Sequence, residues 1–281
     1  MLNKAICKLT ILSFIFFITP LILPSQEGND SNPIMPYDPE MVRDNIGAYI
    51  SVGQNWQSGD IIPTCNSCLF TGGVGGGFTF GAFYDREITR LLYWGIELSY
   101  EVQDFEARFI DIQSRPVEIN PGEEIFFRLN FDQVLDIQLS TLGVMPNITW
   151  RPFQFLTLKT GINFSFPMSS SFVHSEILND RTVRYQGVIY EVATVEDSPV
   201  VQDTEIPGLN SMLYSWNYSL IFPIEIFHHS YLEPAFSMAI PLNNFSSENP
   251  GFLINRWRIQ IGYRYPLTAP PKQKPEQIPL Y

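Results

Sequence analysis

The sequence has few cysteines, few basic residues and little sign of helical periodicity. Three cysteines occur in 281 residues, and 17 Lys and Arg stand against 29 Asp and Glu, a formal net charge of −12. Nucleic-acid binding needs clustered Lys and Arg that displace counterions, so this balance argues against a nucleic-acid partner. After the N-terminal apolar run, no segment shows the apolar stripe of an amphipathic helix. Alternation of apolar and polar residues dominates instead.

The N-terminal segment has the layout of a secretory signal peptide. MLNKAICKLTILSFIFFITPLILPS places two lysines before an apolar run at 9–23, and small Ser25 follows. A transmembrane anchor is the alternative, but the run is shorter than the ~20 residues that a spanning helix needs, and Pro20 interrupts it. We therefore predict a cleaved signal peptide at 1–25, and with it an exported protein.

Two cysteines remain once Cys7 is removed with the signal peptide. Cys65 and Cys68 lie close together in TCNSC, and an oxidising compartment favours a disulfide between such a pair. A redox pair or half a zinc site are the alternatives. No second Cys pair or suitable His cluster completes a zinc site, and no βαβ pattern surrounds the motif. The favoured interpretation is a disulfide that closes a small loop. We expect no metal and no cofactor.

Eight segments alternate apolar and polar residues, which predicts β-strands. In YWGIELSYEV, for example, Trp94, Ile96 and Leu98 face away from Glu97 and Glu101. In the fourth segment the apolar residues occupy odd positions at the start and even positions at the end. We therefore predict a bulge between them at 140–143. The segments are 46–53, 74–84, 93–102, 135–150, 156–166, 214–224, 232–240 and 257–265.

The connections between these segments alternate in length. The short ones are 85–90, 151–155 and 227–230, and the long ones are 54–71, 104–133, 172–210 and 243–252. Short turns at one rim and long loops at the other are typical of an outer-membrane barrel. The second long connection keeps its alternation, so we expect it to extend a hairpin that turns at Asn120-Pro121-Gly122. Gln186-Gly187 is a candidate turn of a smaller hairpin.

The polar face carries the charged residues of the segments, and the opposite face is aromatic and aliphatic. An eight-stranded barrel is only just wide enough inside for side chains to fill, so the many large rings fit poorly in its interior. The rings are therefore predicted to face lipid, and the charges to pair with one another inside, since an unpaired buried ion is costly. The polar-face charges are Asp85, Glu97, Glu101, Asp136, Lys159, Glu225, Glu233, Arg256, Arg258 and Arg264.

Two sets of residues are predicted to have structural roles in this barrel. In the interior charge network, Glu97 and Glu101 are expected to meet the arginines of the last segment. Aromatic residues that flank the short turns are expected to form an interfacial girdle. The network comprises Glu97, Glu101, Lys159, Glu233, Arg256, Arg258 and Arg264, and the girdle includes Tyr93, Trp94, Trp150, Tyr231, Tyr263 and Tyr265.

The chain resembles the outer-membrane β-barrel family common in the Bacteroidetes and Chlorobi groups, loosely called PorT-like. The matching features are the signal peptide, the Cys-containing first loop leading into TGGVGGGFTFGAFYD, the segment YWGIELSY and the terminal WRIQIGYRY. The resemblance covers about residues 45–265. It implies an all-β fold, a transmembrane antiparallel up-and-down barrel of about eight strands, and transfers no catalytic residue. WRIQIGYRY is similar to the C-terminal signal read by the barrel-assembly machinery, although it does not end the chain. Residues 26–44 are predicted as a flexible periplasmic leader and 266–281 as a Pro-rich tail.

Candidate catalytic chemistry is sparse. His228 and Ser230 resemble the His-x-Ser pair of outer-membrane lipid A deacylases, with Glu233 as a third member, but they fall in a predicted short turn where polar residues are ordinary. The glycine run at 72–77 has no Walker lysine and starts no helix, so phosphate binding is not expected.

Acidic residues concentrate in two long connections. Residues 104–133 hold seven acids against three bases, and 172–210 hold seven against two. The simpler interpretation is a solvated surface whose charges repel one another. The more specific interpretation is binding of divalent cations, bridging to lipopolysaccharide, or binding of a cationic partner. No Asp-x-Asp-x-Asp-Gly calcium loop occurs, which weakens the metal version.

These features predict a non-enzymatic outer-membrane barrel of a Gram-negative bacterium. It would anchor acidic extracellular loops in a structural, adhesive or binding role. Its expected partners are the lipid bilayer, the barrel-assembly machinery and a cationic or cell-surface partner at the loops. A narrow passive pore, a lipid-modifying enzyme and a soluble lipocalin-like carrier are the alternatives.

Overall fold

The computed structural model describes residues 44–61, 69–120, 123–179, 181–192, 200–227 and 230–267. No helix long and apolar enough to cross a membrane occurs in these ranges. Several predictions lie outside the described residues, namely the signal peptide, the leader up to residue 43, Cys65, Cys68, the centre of the turn at 121–122, His228 and the tail from residue 268.

The described ranges contain twelve strands. They are β1 (Asp44–Ser58), β2 (Gly73–Thr89), β3 (Leu92–Asn120), β4 (Glu123–Phe153), β5 (Leu156–Leu178), β6 (Thr182–Tyr185), β7 (Val188–Glu191), β8 (Val200–Thr204), β9 (Leu213–Ile221), β10 (Ile224–Phe227), β11 (Ser230–Pro241) and β12 (Leu253–Pro266).

Eight of these strands close into a ring in which every neighbour is antiparallel. The order is β1-β2-β3-β4-β5-β9-β11-β12, and β12 pairs back to β1 from Ile46 opposite Tyr265 to Ser58 opposite Leu253. β10 pairs with β11, and β8 pairs with β5. The prediction of an all-β, eight-stranded, up-and-down barrel is confirmed.

The polarity of the barrel wall is inverted relative to a water-soluble protein. Apolar side chains cover the outside, as on β3, where Trp94, Leu98 and Tyr100 are 42–54% exposed, while Glu97 and Glu101 on the alternate positions are buried. We call this outer surface the apolar belt. Its exposed members on the other strands include Ile46, Ile50, Val52, Phe78, Phe80, Leu142, Ile148, Ile162, Phe166, Leu220, Phe236, Met238, Ile259, Ile261, Tyr263 and Tyr265.

The connections segregate by length, as predicted. β2 joins β3 within 90–91, and β4 joins β5 within 154–155, so one end of the barrel is the short-turn rim. At the long-loop rim, β3, β4 and β5 run 29, 31 and 23 residues and continue past the belt. We call residues 104–120 of β3, 123–138 of β4 and 171–178 of β5 the projecting sheet.

A small hairpin, β6–β7, lies against the projecting sheet. Its two-residue turn is Gln186-Gly187, with φ of 49° and 86°, the left-handed backbone of a type I′ turn. The prediction of a hairpin at this dipeptide is confirmed. Val183 of the hairpin packs with Val117 and Leu129 of the projecting sheet.

The parity change in β4 has a different cause from the predicted bulge. β3 and β4 pair without a shift from Leu92 opposite Trp150 to Glu118 opposite Glu124, so Leu139 and Met145 both face inward. The register does shift between β4 and β5 after Ser140, where the additional residue lies on β5. Leu135, Ile137 and Leu139 face an interior that is apolar near the long-loop rim, whereas Val144 and Ile148 face outward. The apolar residues therefore occupy odd positions before residue 140 and even positions after residue 143.

Candidate functional site: the barrel interior and the projecting sheet

The interior of the barrel at the level of the belt is lined by polar side chains from all eight strands. Asn55 of β1, Thr79 of β2, Glu101 of β3, Asn163 of β5 and Arg258 of β12 are all buried there. The strict alternation of the strands produces this lining, because each polar residue follows an apolar residue that faces outward.

Glu101 is the centre of one charge cluster. Its Oε2 lies 3.0 Å from Arg256 Nη1, and its Oε1 lies 2.9 Å from Arg258 Nη2. Arg258 also donates to Asn55 Oδ1 at 2.8 Å and to the carbonyl oxygen of Gln54 at 3.2 Å. The cluster thus ties β3 to β12 and β1 across the seam where the first and last barrel strands meet.

Glu97 is the centre of a second cluster, which lies closer to the short-turn rim than the Glu101 cluster does. It accepts a short hydrogen bond from the Tyr49 hydroxyl, and its Oε2 lies 3.4 Å from Lys159 Nζ. Lys159 Nζ also lies 4.3 Å from the centroid of the Phe83 ring. The sequence prediction paired Glu97 with arginines of the last strand, whereas the structure pairs it with Lys159 of β5.

A third cluster closes the interior at the short-turn rim. Arg264 Nε donates to Glu233 Oε1 at 2.6 Å, and the Arg264 guanidinium lies over the Tyr231 ring at 4.2 Å. Arg151 lies over the Tyr93 ring at 3.8 Å, with its Nη2 3.8 Å from Asp85 Oδ2. Arg151 and Tyr49 thus take part beside the predicted network residues, and so does Asp85, which the sequence places on the polar face. Arg151 and Tyr49 lie at the inward positions of their strands, and this alternation is the signal that could have found them.

Several predicted positions differ from the structure. Tyr93 is 5% exposed, and Tyr231 lies on the inward parity of β11 beneath Arg264, so these two rings stack on interior arginines instead of joining the outer girdle. Trp94, Tyr263 and Tyr265 are 44–49% exposed on the outside, and Trp150 is half-buried on the outward parity of β4. Asp136 and Glu225, expected inside, are exposed. The reason for Asp136 is that β4 keeps one parity throughout.

Glycines on β2 make room for the Arg258 side chain and for the backbone of the neighbouring strand β3. A Cβ added at Gly77 would lie 2.7 Å from Arg258 Nη2, and one at Gly75 would lie 1.9 Å from the carbonyl oxygen of Asp104. The glycine run therefore permits close approach of side chain and backbone, as expected for glycine within strands.

An apolar cluster closes the interior at the long-loop rim, and we call it the apolar cap. Phe105 and Leu135 continue the inward rows of β3 and β4, and Phe252 contacts Phe245 and Phe105 at centroid distances of 5.1 and 6.1 Å. Every long connection contributes a residue. The cap comprises Ile61, Phe70, Phe105, Ala107, Leu135, Ile137, Leu139, Phe172, Ile206, Phe245, Phe252 and Ile254.

Two small cavities lie between the polar clusters and the cap. A cavity of about 40 Å³ lies among Glu97, Glu101 and Arg258, and a second of about 30 Å³ lies beneath the cap beside Arg256 and Phe245. Because one water needs roughly 10–15 Å³ of such space, each cavity holds a few waters at most. The described interior is therefore a packed plug.

The candidate catalytic residues Ser230 and Glu233 lie in the described part of the chain. Ser230 is buried, and Glu233 is engaged by Arg264 at 2.6 Å. His228 lies outside the described residues, so its geometry with Ser230 is not part of the structure. No group of three or more His, Cys, Asp or Glu suited to a metal occurs in the described ranges.

The projecting sheet presents one covered face and one open face. Its inner face carries the Val117–Leu129–Val183 cluster and, nearer the barrel, His174, whose Nε2 lies 2.8 Å from Gln133 Oε1. The open face carries Ile110 and other exposed apolar residues between acidic ones. Burial and the nearby Glu106 raise the pKa of Asp136 on this face.

Comparisons with known proteins give distant structural likenesses. No family model matches the chain, and no curated protein matches it. Ail, the attachment invasion locus protein of Yersinia pestis solved with the heparin analogue sucrose octasulfate, is 11% identical with a TM-score of 0.31, covering 79% of this chain and 99% of that chain. The outer membrane protease OmpT of Escherichia coli is 8% identical with a TM-score of 0.26, covering 83% and 99%. The translocator domain of the autotransporter NalP of Neisseria meningitidis is 8% identical with a TM-score of 0.26, covering 80% and 88%. At these scores the likenesses carry no argument about relationship or activity.

Proposed function

We propose that this protein is a non-enzymatic, closed outer-membrane β-barrel that anchors the projecting sheet at the cell surface, where the sheet serves as a binding or adhesive element. The observation that carries the proposal is the inverted polarity of the wall. A closed ring with apolar residues outside and paired charges inside suits hydrocarbon, since every strand edge in the ring is satisfied. In water, the same exposed belt would be a very large apolar patch.

The height of the belt supports the same placement. On β3 the outward row is apolar from Trp94 to Val102, and Asp104 and Glu106 follow immediately. A tilted strand needs about 9–11 residues to cross the hydrocarbon core, which fits this interval. The short turns would then lie in the periplasm and the projecting sheet outside the cell. The narrower assignment to the PorT-like type is supported by the sequence features alone.

Fractionation of the cell envelope tests membrane placement. The full chain, expressed in a Gram-negative host, is expected in the carbonate-resistant outer-membrane fraction and to change gel mobility on heating. Recovery of the folded protein in the soluble periplasmic fraction would contradict the proposal. A Ser230→Ala variant tests the enzymatic alternative, and the lipid A acylation pattern of the host is expected to be the same with either chain.

A passive pore is the second candidate, and the interior argues against it. Ion pairs such as Glu101–Arg258 cross the bore at 2.9 Å, and the apolar cap lies above them. Eight strands normally leave an interior filled by side chains. The acidic balance of 104–133 and 172–210 instead favours a role for the exposed surface, with a cationic or cell-surface partner.

A further inference from the structure

The outer half of β3 has one strand edge that lacks a neighbour in the part of the chain that the structure describes. β2 pairs with β3 only as far as Gly73 opposite Ala107, whereas β4 pairs with it up to Asn120. Residues 108–118 therefore pair with β4 on one side, and on the other side no strand of the described ranges pairs with them. An open edge of this kind is a template for another strand, and extended segments commonly bind proteins by adding to such an edge.

The charges along this edge are self-complementary. The segment reads RFIDIQSRPVE. When two copies run antiparallel about Gln113, Arg108 lies opposite Glu118 and Asp111 lies opposite Arg115. The two-fold relation repeats each pair, so four opposite-charge pairs form, and such cross-strand pairs are favourable.

The current contacts of these arginines leave them able to make the new pairs. Arg108 pairs with Glu106 with its side chain 63% exposed, and Arg115 lies 3.3 Å from Glu176 with its side chain 50% exposed. The Arg108–Glu106 pair is exposed on both sides and contributes little, so it can be exchanged when a second strand arrives. Glu176 is only 13% exposed, so Arg115 keeps that contact and shares its exposed guanidinium with the second strand.

The same register joins apolar residues on the open face of the projecting sheet. Ile110 would lie opposite Pro116 of the second copy, and Pro116 is itself paired with Phe126 on β4. Ile110 and Phe126 are 67% and 68% exposed in the single chain. Pairing would therefore bury an exposed apolar row as well as extend the ladder, although Pro116 has no N–H to donate.

The direction of β3 determines where the second copy stands. Two copies in one membrane have β3 strands that run the same way, and parallel pairing in register would set Arg108 beside Arg108, which is unfavourable. Antiparallel pairing needs a copy that points the opposite way, on a facing membrane. Gln113 lies six residues beyond Ala107, so the facing barrel rims would be about 40 Å apart at ~3.3 Å per residue.

We propose that this protein binds a second copy of itself on a facing membrane by antiparallel pairing of β3 edges at 108–118, and so acts as a homophilic adhesin. The inference rests on the proposed function, since it requires the barrel in the outer membrane with the projecting sheet outside. The register places Glu106 opposite Asn120, so the overlap ends where β3 joins the barrel.

Charge-reversed variants in lipid nanodiscs test the pairing. Each disc holds one full-length barrel, and sedimentation velocity with energy transfer between differently labelled discs reports disc pairs. Native discs are expected to pair, while Arg108→Glu discs and Glu118→Arg discs are each expected to pair about tenfold more weakly, because each variant creates two like-charge contacts. Mixing these two variants restores both opposite-charge contacts, so the mixed discs are expected to pair as the native discs do.

A double variant and a folding control make the result decisive. The Arg108→Glu/Glu118→Arg protein is expected to pair with itself but not with the native protein, since the second combination sets like charges opposite. Heat-modifiable mobility of every variant verifies the folded barrel. Folded native discs that stay single, or variants whose pairing ignores charge matching, would overturn the inference. Failure of the native chain to fold in discs at all would instead count against the proposed membrane barrel.

Discussion

At the scale of single residues, Glu101 is an interior acid that contacts two arginines. It lies within 3.0 Å of Arg256 and 2.9 Å of Arg258, and all three side chains are at most 12% exposed. Removing one partner of a buried ion pair typically costs about 3–5 kcal/mol, because the other charge is left uncompensated. We expect Glu101→Gln to lower the temperature at which the folded gel band converts to the unfolded band.

A matched substitution separates this effect from loss of charge alone. Glu106→Gln, five residues along the same strand, removes a carboxylate whose side chain is 45% exposed beside Arg108. It should leave the conversion temperature almost unchanged, since exposed pairs contribute little. Equal shifts for the two variants would refute the view that the interior clusters stabilise the barrel.

His174 links the stability of the projecting sheet to pH. Its side chain is 1% exposed, and its ring meets the Phe70 ring edge-on at 5.8 Å. Burial lowers the pKa of His174, against the opposing effect of Glu176; Glu176 in turn contacts Arg115. The unfolded segment therefore binds more protons than the folded one, so stability is full above the unfolded pKa of about 6.5 and falls as pH decreases below it.

The expected outcome is faster amide hydrogen exchange in the outer part of β5 as pH falls below about 6.5, after correction for intrinsic rates. His174→Gln retains a group able to bond Gln133 and cannot titrate, so its exchange should show no such pH dependence. If amide exchange in His174→Gln depends on pH as it does in the native protein, groups other than His174 cause the effect.

At the scale of elements, we expect the packing of Val183 to hold the β6–β7 hairpin against the projecting sheet. Val183 packs inward at 9% exposure, whereas Val188 on the same hairpin is 53% exposed. Val183→Asp should detach the hairpin, because burial of a valine contributes about 1.5–3 kcal/mol and the carboxylate opposes it. Limited proteolysis is expected to cleave near 179–192 in this variant and not in Val188→Asp, with barrel mobility on gels unchanged in both.

The elements also show what the sequence could and could not predict. Alternation identified the barrel strands, and the dipeptide Gln186-Gly187 identified a hairpin turn, because both signals are local. Period alone does not give the direction of the β4 side chains, since it does not distinguish Leu135 and Leu139 from outward-facing residues. Their inward direction follows from continuous pairing with β3, which is a non-local fact.

At the scale of the whole molecule, the segregation of short and long connections predicted closure, and the segregation of charge predicted which face is inside. The apolar cap could not be predicted in the same way, because its residues come from every long connection and meet only after the ring has closed. Nearness to turns likewise predicts Tyr93 and Tyr231 in the girdle, and only the side-chain contacts show that they stack on Arg151 and Arg264.

The two layers of the plug predict the electrical behaviour of the barrel. The native protein in planar bilayers should show no discrete conductance, because the cap and the ion pairs each close the bore. Phe252→Ala, which removes a ring 1% exposed in the cap, should leave it closed, as should Arg258→Ser, which opens only the charged layer. The two substitutions together should give small cation-selective steps, since Glu101 loses one of its two arginines. Steps in the native protein, or in Phe252→Ala alone, would show that the polar clusters do not block the passage.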